Sequence, residues 1–258
     1  MCKKKKISFF ICISILCLLT ACGQNKQEQN EEKNQNDLIL DRAYITRYED
    51  INEVSYPKFV FNYPSNWNVI NERVDNMGET ITIKSDDGVE ITYNYMNLPE
   101  STNLGTGTDT MLKVDISEIT NSDFNAGYVQ ATDYSNLGKF MVSKLHVIGQ
   151  LDMKNDADFT DVDGSISYAL LPQSMSGIKD DVTGAFSGEF SFYYGGYISM
   201  LCTPENKLNE KQEKEVVEIM KSFRKLEDAK ETYVNSNNAL TLSTYLSKKE
   251  PTIMYYFN

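Results

Sequence analysis

The stretch ETITIKSDDGVEITYNY, residues 79–95, decides the fold class. Ile81 and Ile83 alternate with threonines, then Val89, Ile91, Tyr93 and Tyr95 alternate with polar residues. Alternation of this kind marks half-buried strands, and Asp86-Asp87-Gly88 between the two runs marks a turn. A two-residue Asp87-Gly88 turn would pair Ile83 with Thr92 and set the apolar residues on opposite faces. A three-residue loop, with Gly88 in the left-handed conformation, pairs Ile83 with Ile91 and Ile81 with Tyr93. One buried face requires the second register, and a three-residue loop is a common hairpin connection.

The same period extends outward. In residues 58–63, Phe59, Phe61 and Tyr63 share one strand face, and Pro64 ends the run. Trp67 follows in a turn before Val69 and Ile70. Upstream, Tyr44, Ile45, Tyr48 and Ile51 have helical spacing but suit a short strand and turn equally well. Downstream, Leu112, Val114 and Ile116 suggest a strand, while residues 121–137 are weakly patterned. Residues 140–153 read as a long strand with Met141, Leu145, Val147 and Leu151 on one side. Ile166, Tyr168 and Leu170 mark its hairpin partner. Residues 172–188 read as a loop or an irregular excursion, and residues 189–202 as a tight hairpin with a two-residue primed turn at Gly195-Gly196. Residues 204–226 carry the strongest helical signal. Asn209 and Gln212 have capping-box spacing, and Leu208, Val216, Ile219, Met220 and Phe223 form one stripe with Lys and Glu opposite.

Two blocks, Phe59-x-Phe61-x-Tyr63-Pro64-x-x-Trp67 with its hairpin, and Tyr197-Ile198 through Ile219-Met220-Lys221-Ser222-Phe223, resemble the PsbP-like family. The resemblance covers the outer thirds of the folded region. It implies an α+β fold, a central antiparallel sheet flanked by helices, and a non-catalytic accessory role. The photosystem function of the family's type members is not carried over.

The N-terminus has a different character. Lys3 to Lys6 precede an apolar run from Ile7 to Leu18, then Leu19-Thr20-Ala21-Cys22-Gly23. About 12 apolar residues fall short of the roughly 20 that span a bilayer, and the layout is that of a signal peptide. The Leu-x-Ala-Cys ending resembles a lipobox, which implies cleavage before Cys22 and a diacylglyceryl group on its thiol. Two acyl chains anchor durably where one binds only marginally. Residues 23–36, GQNKQEQNEEKNQN, are too polar to offset their ordering entropy and read as a disordered tether. About 14 flexible residues give an r.m.s. span of roughly 20 Å. The resulting division is a signal peptide over 1–21, a tether over 22–37, a PsbP-like domain over 38–226 and an extension over 227–258. The extension ends in the apolar cluster Ile253-Met254-Tyr255-Tyr256-Phe257, read as docking on the domain.

Charge and composition narrow the function. The formal net charge is −12, and loss of Lys3 to Lys6 would make it more negative by four. Nucleic-acid binding calls for a clustered basic face, which this balance disfavours. Of five cysteines, only Cys202 would remain free in the mature chain, in an apolar run that reads as a buried, inert thiol. His146, the only histidine, sits in a strand pattern rather than beside a nucleophile. Gly105-Thr106-Gly107 lacks the Gly-Lys-Ser/Thr ending of a phosphate loop, and Gly184-Ala185-Phe186-Ser187-Gly188 only approximates a nucleophile elbow. Zinc would need more His and Cys ligands than one of each, far apart. With Gly164 as the loop glycine, the run Asp156, Asp158, Asp161, Asp163 would put Phe159 and Leu170 at calcium-ligand positions, which fails. It reads as a solvated turn, with diffuse cation attraction left open. The expectation is a membrane-anchored extracytoplasmic lipoprotein, without a cofactor or metal, acting as a non-catalytic binding or accessory module. The alternatives are a cell-surface hydrolase with paired carboxylates and a carrier of a small apolar ligand.

Overall fold

A computed structural model describes residues 38–53, 55–97, 109–183 and 186–229. The signal, Cys22, the tether, Gly105-Thr106-Gly107 and the apolar C-terminal cluster lie outside the described residues.

The chain opens with β1 (Arg42–Ile45) and a short helix, α1 (Tyr48–Asn52), so the ambiguous N-terminal spacing holds both a strand and a helical turn. β2 (Phe59–Tyr63), β3 (Trp67–Asp75), β4 (Gly78–Ser85) and β5 (Glu90–Met96) follow. Then come β6 (Thr110–Asn125), the two-residue strands β7 (Tyr128–Val129) and β8 (Thr132–Asp133), and β9 (Lys139–Asp152). β10 (Thr160–Asp161), β11 (Ile166–Pro172) and β12 (Gly177–Val182) lead to α2 (Phe186–Glu189). The described chain closes with β13 (Phe192–Tyr193), β14 (Tyr197–Cys202), α3 (Glu210–Lys221) and β15 (Arg224–Lys225).

Most of these strands build one antiparallel sheet in the order β12-β6-β9-β11-β14-β5-β4-β3, with β10 on β9 and β13 on β14. A separate small sheet runs β1-β2-β15. The β4–β5 register pairs Ile83 with Ile91 and Ile81 with Tyr93. Ser85 N–H donates to Val89 O at 2.9 Å, and Gly88 has φ +88°. The three-residue loop is therefore the one adopted.

Alternation sorts the large sheet into two faces. Ile81, Ile83, Ile91, Tyr93, Phe140, Val142, Tyr168, Leu170, Ile198 and Met200 meet α3 and the small sheet in one aromatic-rich core. Val114, Ile116, Met141, Leu145, Ala169, Leu171 and Leu201 form a smaller cluster on the other face, with Val182 and Phe190. β6 supplies both clusters, through Val114 and Ile116 on one and Phe124 on the other. Register shifts after Glu118 and Asn121 turn the strand over, because one extra residue exchanges the faces of everything beyond it. That exchange hid the strand in the weakly patterned residues 121–125.

The sheet flanked by helices is not what the chain forms. Strands dominate, and α3 is the only helix of more than five residues among those described. It covers one face. The other is covered in part by the return through β12 and α2, where residues 172–188 looked like a loop. β12 reads GIKDDV, an edge strand with charges facing water. Such a strand has no apolar alternation to reveal it.

α3 ends at Lys221, short of Leu226, and the chain straightens so that Arg224 and Lys225 pair with β2. Asn209 and Gln212 form the full capping box. Glu215 departs from the expected outward charge. It is buried within α3, and its Oε2 accepts the indole N–H of Trp67 at 2.8 Å. Trp67 opens β3 rather than a turn and is fully buried. The Gly195 turn is tighter than the primed turn, with Tyr193 opposite Tyr197 and Tyr194 N–H bonded to Gly196 O at 2.7 Å.

Candidate functional site

The part of the second face left uncovered carries an open groove. The centre of this face is floored by β11, β14 and β5. β11 places Ser165 just before its first residue and Ser167 within it, both on this side. β5 contributes Glu90, Thr92 and Asn94, and the end of β14 adds Leu201 and Thr203. These residues, with Leu112, Phe186 and Pro204, line a groove of about 580 Å³. A second groove of about 480 Å³ shares Glu90, Thr203 and Pro204 and runs along Lys84, Asp87, Glu205, Lys207 and Gln212.

The polar groups of the floor differ in how they are used. Thr92 and Thr82 hydroxyls pair at 3.1 Å, and Glu90 takes Lys84 Nζ at 2.8 Å. The Asn94 amide is 3.5 Å from Ser199 Oγ. Ser167 is 3% exposed as a residue, and its hydroxyl lies at the groove surface rather than among the buried unpaired groups. Ser165 and Thr203 are exposed at the rim. The β5 backbone in the floor is committed to the ladder on both sides, with Thr92 between Thr82 and Leu201 and Asn94 between Thr80 and Ser199.

Carboxylates concentrate elsewhere. Glu79 is buried on β4 and accepts the backbone N–H of Arg47 at 2.9 Å, that of Tyr48 at 2.9 Å, and the Tyr44 hydroxyl at 3.0 Å. Arg47, the cap residue of α1, supplies no side-chain cap of its own, so Glu79 satisfies the helix's free N–H groups from the sheet. Burial raises the Glu79 pKa against the opposing pull of these donors. The Tyr44 hydroxyl also lies 3.1 Å from Glu72, whose Oε1 takes Arg47 Nη1 at 2.8 Å. Burial, then the neighbouring carboxylates, raises the Tyr44 pKa. Glu79 and Asp75 touch a smaller groove of about 300 Å³, but Asp75 is held by Arg73 and by the N–H groups of Met77 and Gly78.

The residues singled out from sequence are scattered. His146 lies on β9 with its Nε2 2.8 Å from Asp163 Oδ1, away from the groove lining. Asp163 therefore has a partner the acidic-run pattern did not foretell. Asp156 accepts the N–H of Asp152, and Asp158 and Asp161 are exposed. Among the described residues no three His, Cys, Asp or Glu side chains converge as a metal site would require. Cys202 is fully buried, and burial pushes its thiol up to about 12. Gly184 and Ala185 fall outside the described residues. Among the described residues no helix is long and apolar enough to cross a membrane.

Comparison with family models, with curated proteins and with solved structures finds no match for this chain. The groove was missed by sequence because its residues come from three strands far apart in the chain and are ordinary Ser, Thr and Asn. The signal available was weak: the polar partners of alternating strands that all fell on one face.

Proposed function

We propose that this chain is a lipid-anchored lipoprotein of the bacterial envelope, held through Cys22, that works as a non-catalytic binding module. The groove on the uncovered sheet face is its contact site. One observation carries this reading: an open groove on the uncovered sheet face is floored by the polar side chains of Ser165, Ser167, Thr203 and Asn94, brought together from separate strands.

The two alternatives have less support. A paired-carboxylate hydrolase needs two available carboxylates facing across a cleft, whereas Asp75 and Glu79 already serve backbone N–H groups. A carrier for an apolar ligand needs a mostly apolar pocket, whereas this groove is open and floored by hydroxyls and an amide.

A photo-cross-linking residue placed at Ser165 on intact cells tests the contact site. The expected result is a discrete adduct that the same residue at Ile178, exposed on the β12 edge, does not give. Identical adducts from both positions would remove the groove from the account. Anchoring is tested separately. Cys22→Ala is expected to remain an uncleaved precursor or to be released without lipid, and normal maturation with detergent-phase partitioning would contradict it.

A further inference from the structure

We infer that the groove takes an uncharged, polyhydroxylated chain, that is, an oligosaccharide. This rests on the reading of the groove as a binding site and adds the chemical class of its occupant.

The polar groups on offer are side-chain groups. Peptides most readily bind a sheet by adding a strand at its edge, through main-chain hydrogen bonds. Here the groove lies over the face of the sheet, and the backbone of β5 in its floor is already paired on both sides, to β14 and to β4. What remains are the hydroxyls of Ser165, Ser167 and Thr203 and the Asn94 amide. A hydroxyl both donates and accepts, so it matches the hydroxyls of a sugar without demanding one polarity.

Charge narrows the class further. Among the described residues Glu90 is the one charged residue lining the first groove, and it pairs with Lys84. In the second groove Lys84 and Lys207 stand beside Asp87, Glu90 and Glu205, so neither groove offers a net positive charge to phosphate, sulfate or carboxylate, and the net charge of −12 opposes polyanions. Leu112, Phe186, Leu201 and Pro204 complete the lining with apolar surface, which suits the C–H face of a pyranose ring. Phe186 packs edge-on to Phe190 at 5.0 Å, which supports its ring from behind.

Size points to a chain rather than a single ring. Each groove alone lies within the roughly 300–1,000 Å³ typical of pockets for drug-sized ligands. The two share Glu90, Thr203 and Pro204 as a common rim, so an extended ligand could contact both.

The test is calorimetric titration of the full chain, in a non-glycosidic detergent, with cellotetraose, maltotetraose and the tetramer of N-acetylglucosamine, each beside its monosaccharide. At least one tetrasaccharide is expected to saturate with Kd tighter than about 1 mM and to bind more tightly than its monomer. Ser167→Ala removes one hydroxyl of the groove lining. It is expected to weaken that binding about two- to tenfold, the range one hydrogen bond spans, with the unfolding midpoint unchanged. Binding that Ser167→Ala leaves untouched overturns the proposal, since the sugar then sits elsewhere. If no tetrasaccharide binds while the Ser165 adduct persists, the oligosaccharide class is wrong and the contact site stands. Failure of both ends both readings.

Discussion

The two faces of the large sheet are built from the same strands and differ in nearly everything else. Toward α3, Phe59, Phe124, Phe140, Phe192, Tyr194 and Phe223 interlock, with Phe59 and Phe223 stacked at 5.1 Å and Phe124 edge-on to Phe140 at 4.7 Å. Aromatic pairs of this kind add about 0.5–1.5 kcal/mol beyond the area they bury. On the opposite face the apolar cluster stops midway, and β5 and β4 present Thr92, Asn94, Thr82 and Thr80 instead. An antiparallel sheet can leave one side to water. Stability therefore resides mainly on the α3 side, and the open half can carry contacts at little cost to the fold.

The sharpest way to break this contrast is to truncate one residue on each side. Trp67→Ala is expected to cost about 3–5 kcal/mol, because it empties a filled site and strips Glu215 of its indole donor. Thr92→Ala, on the open face, is expected to cost less than about 1 kcal/mol. Urea unfolding of both variants checks the pair, and equal losses would erase the distinction between faces.

Next in size is Gly196→Ala. A Cβ there would sit 2.4 Å from Tyr95 Cε2, so the ring must move within a packed aromatic core. Overpacking of this kind costs about 1–3 kcal/mol, readable as a lower unfolding midpoint. Gly88→Ala meets no neighbouring atom and is strained only through its positive φ, so a larger loss at Gly88 than at Gly196 would contradict the packing account.

A smaller effect comes from Glu79. Burial raises its folded pKa, so the folded state binds this proton more readily than the unfolded chain. Its contribution is then fully present below the ordinary carboxylate pKa and is lost as pH rises through the raised one. Wild type is therefore expected to gain stability relative to Glu79→Gln as pH falls from about 8 to about 5. A constant or shrinking difference across that range would reverse the assignment.

These elements also show what sequence could and could not reveal. The β4–β5 register was legible because Gly88 and two isoleucines admit one buried face, and the α3 start because Asn209 and Gln212 cap it. The end of α3 was not, since Phe223 continues the apolar stripe after the helix has stopped. β12 was not, since an edge strand with Lys179, Asp180 and Asp181 lacks alternation. Among the described residues the second face has no long helix of the kind the family resemblance implied; β12 and the short α2 cover it only in part. The groove was least legible, because Ser167, Thr92 and Thr203 meet only after three strands have paired.

Thr203→Trp separates the open half of the sheet, as a contact surface, from the packing that holds the fold. This residue lies exposed on the rim shared by both grooves, and filling it should shift stability by no more than about 0.5 kcal/mol. The yield of the Ser165 adduct on intact cells is measured with and without the substitution. The expected result is an unchanged unfolding midpoint with loss of the adduct; an adduct that survives in full in the folded variant would rule out the groove as the contact surface.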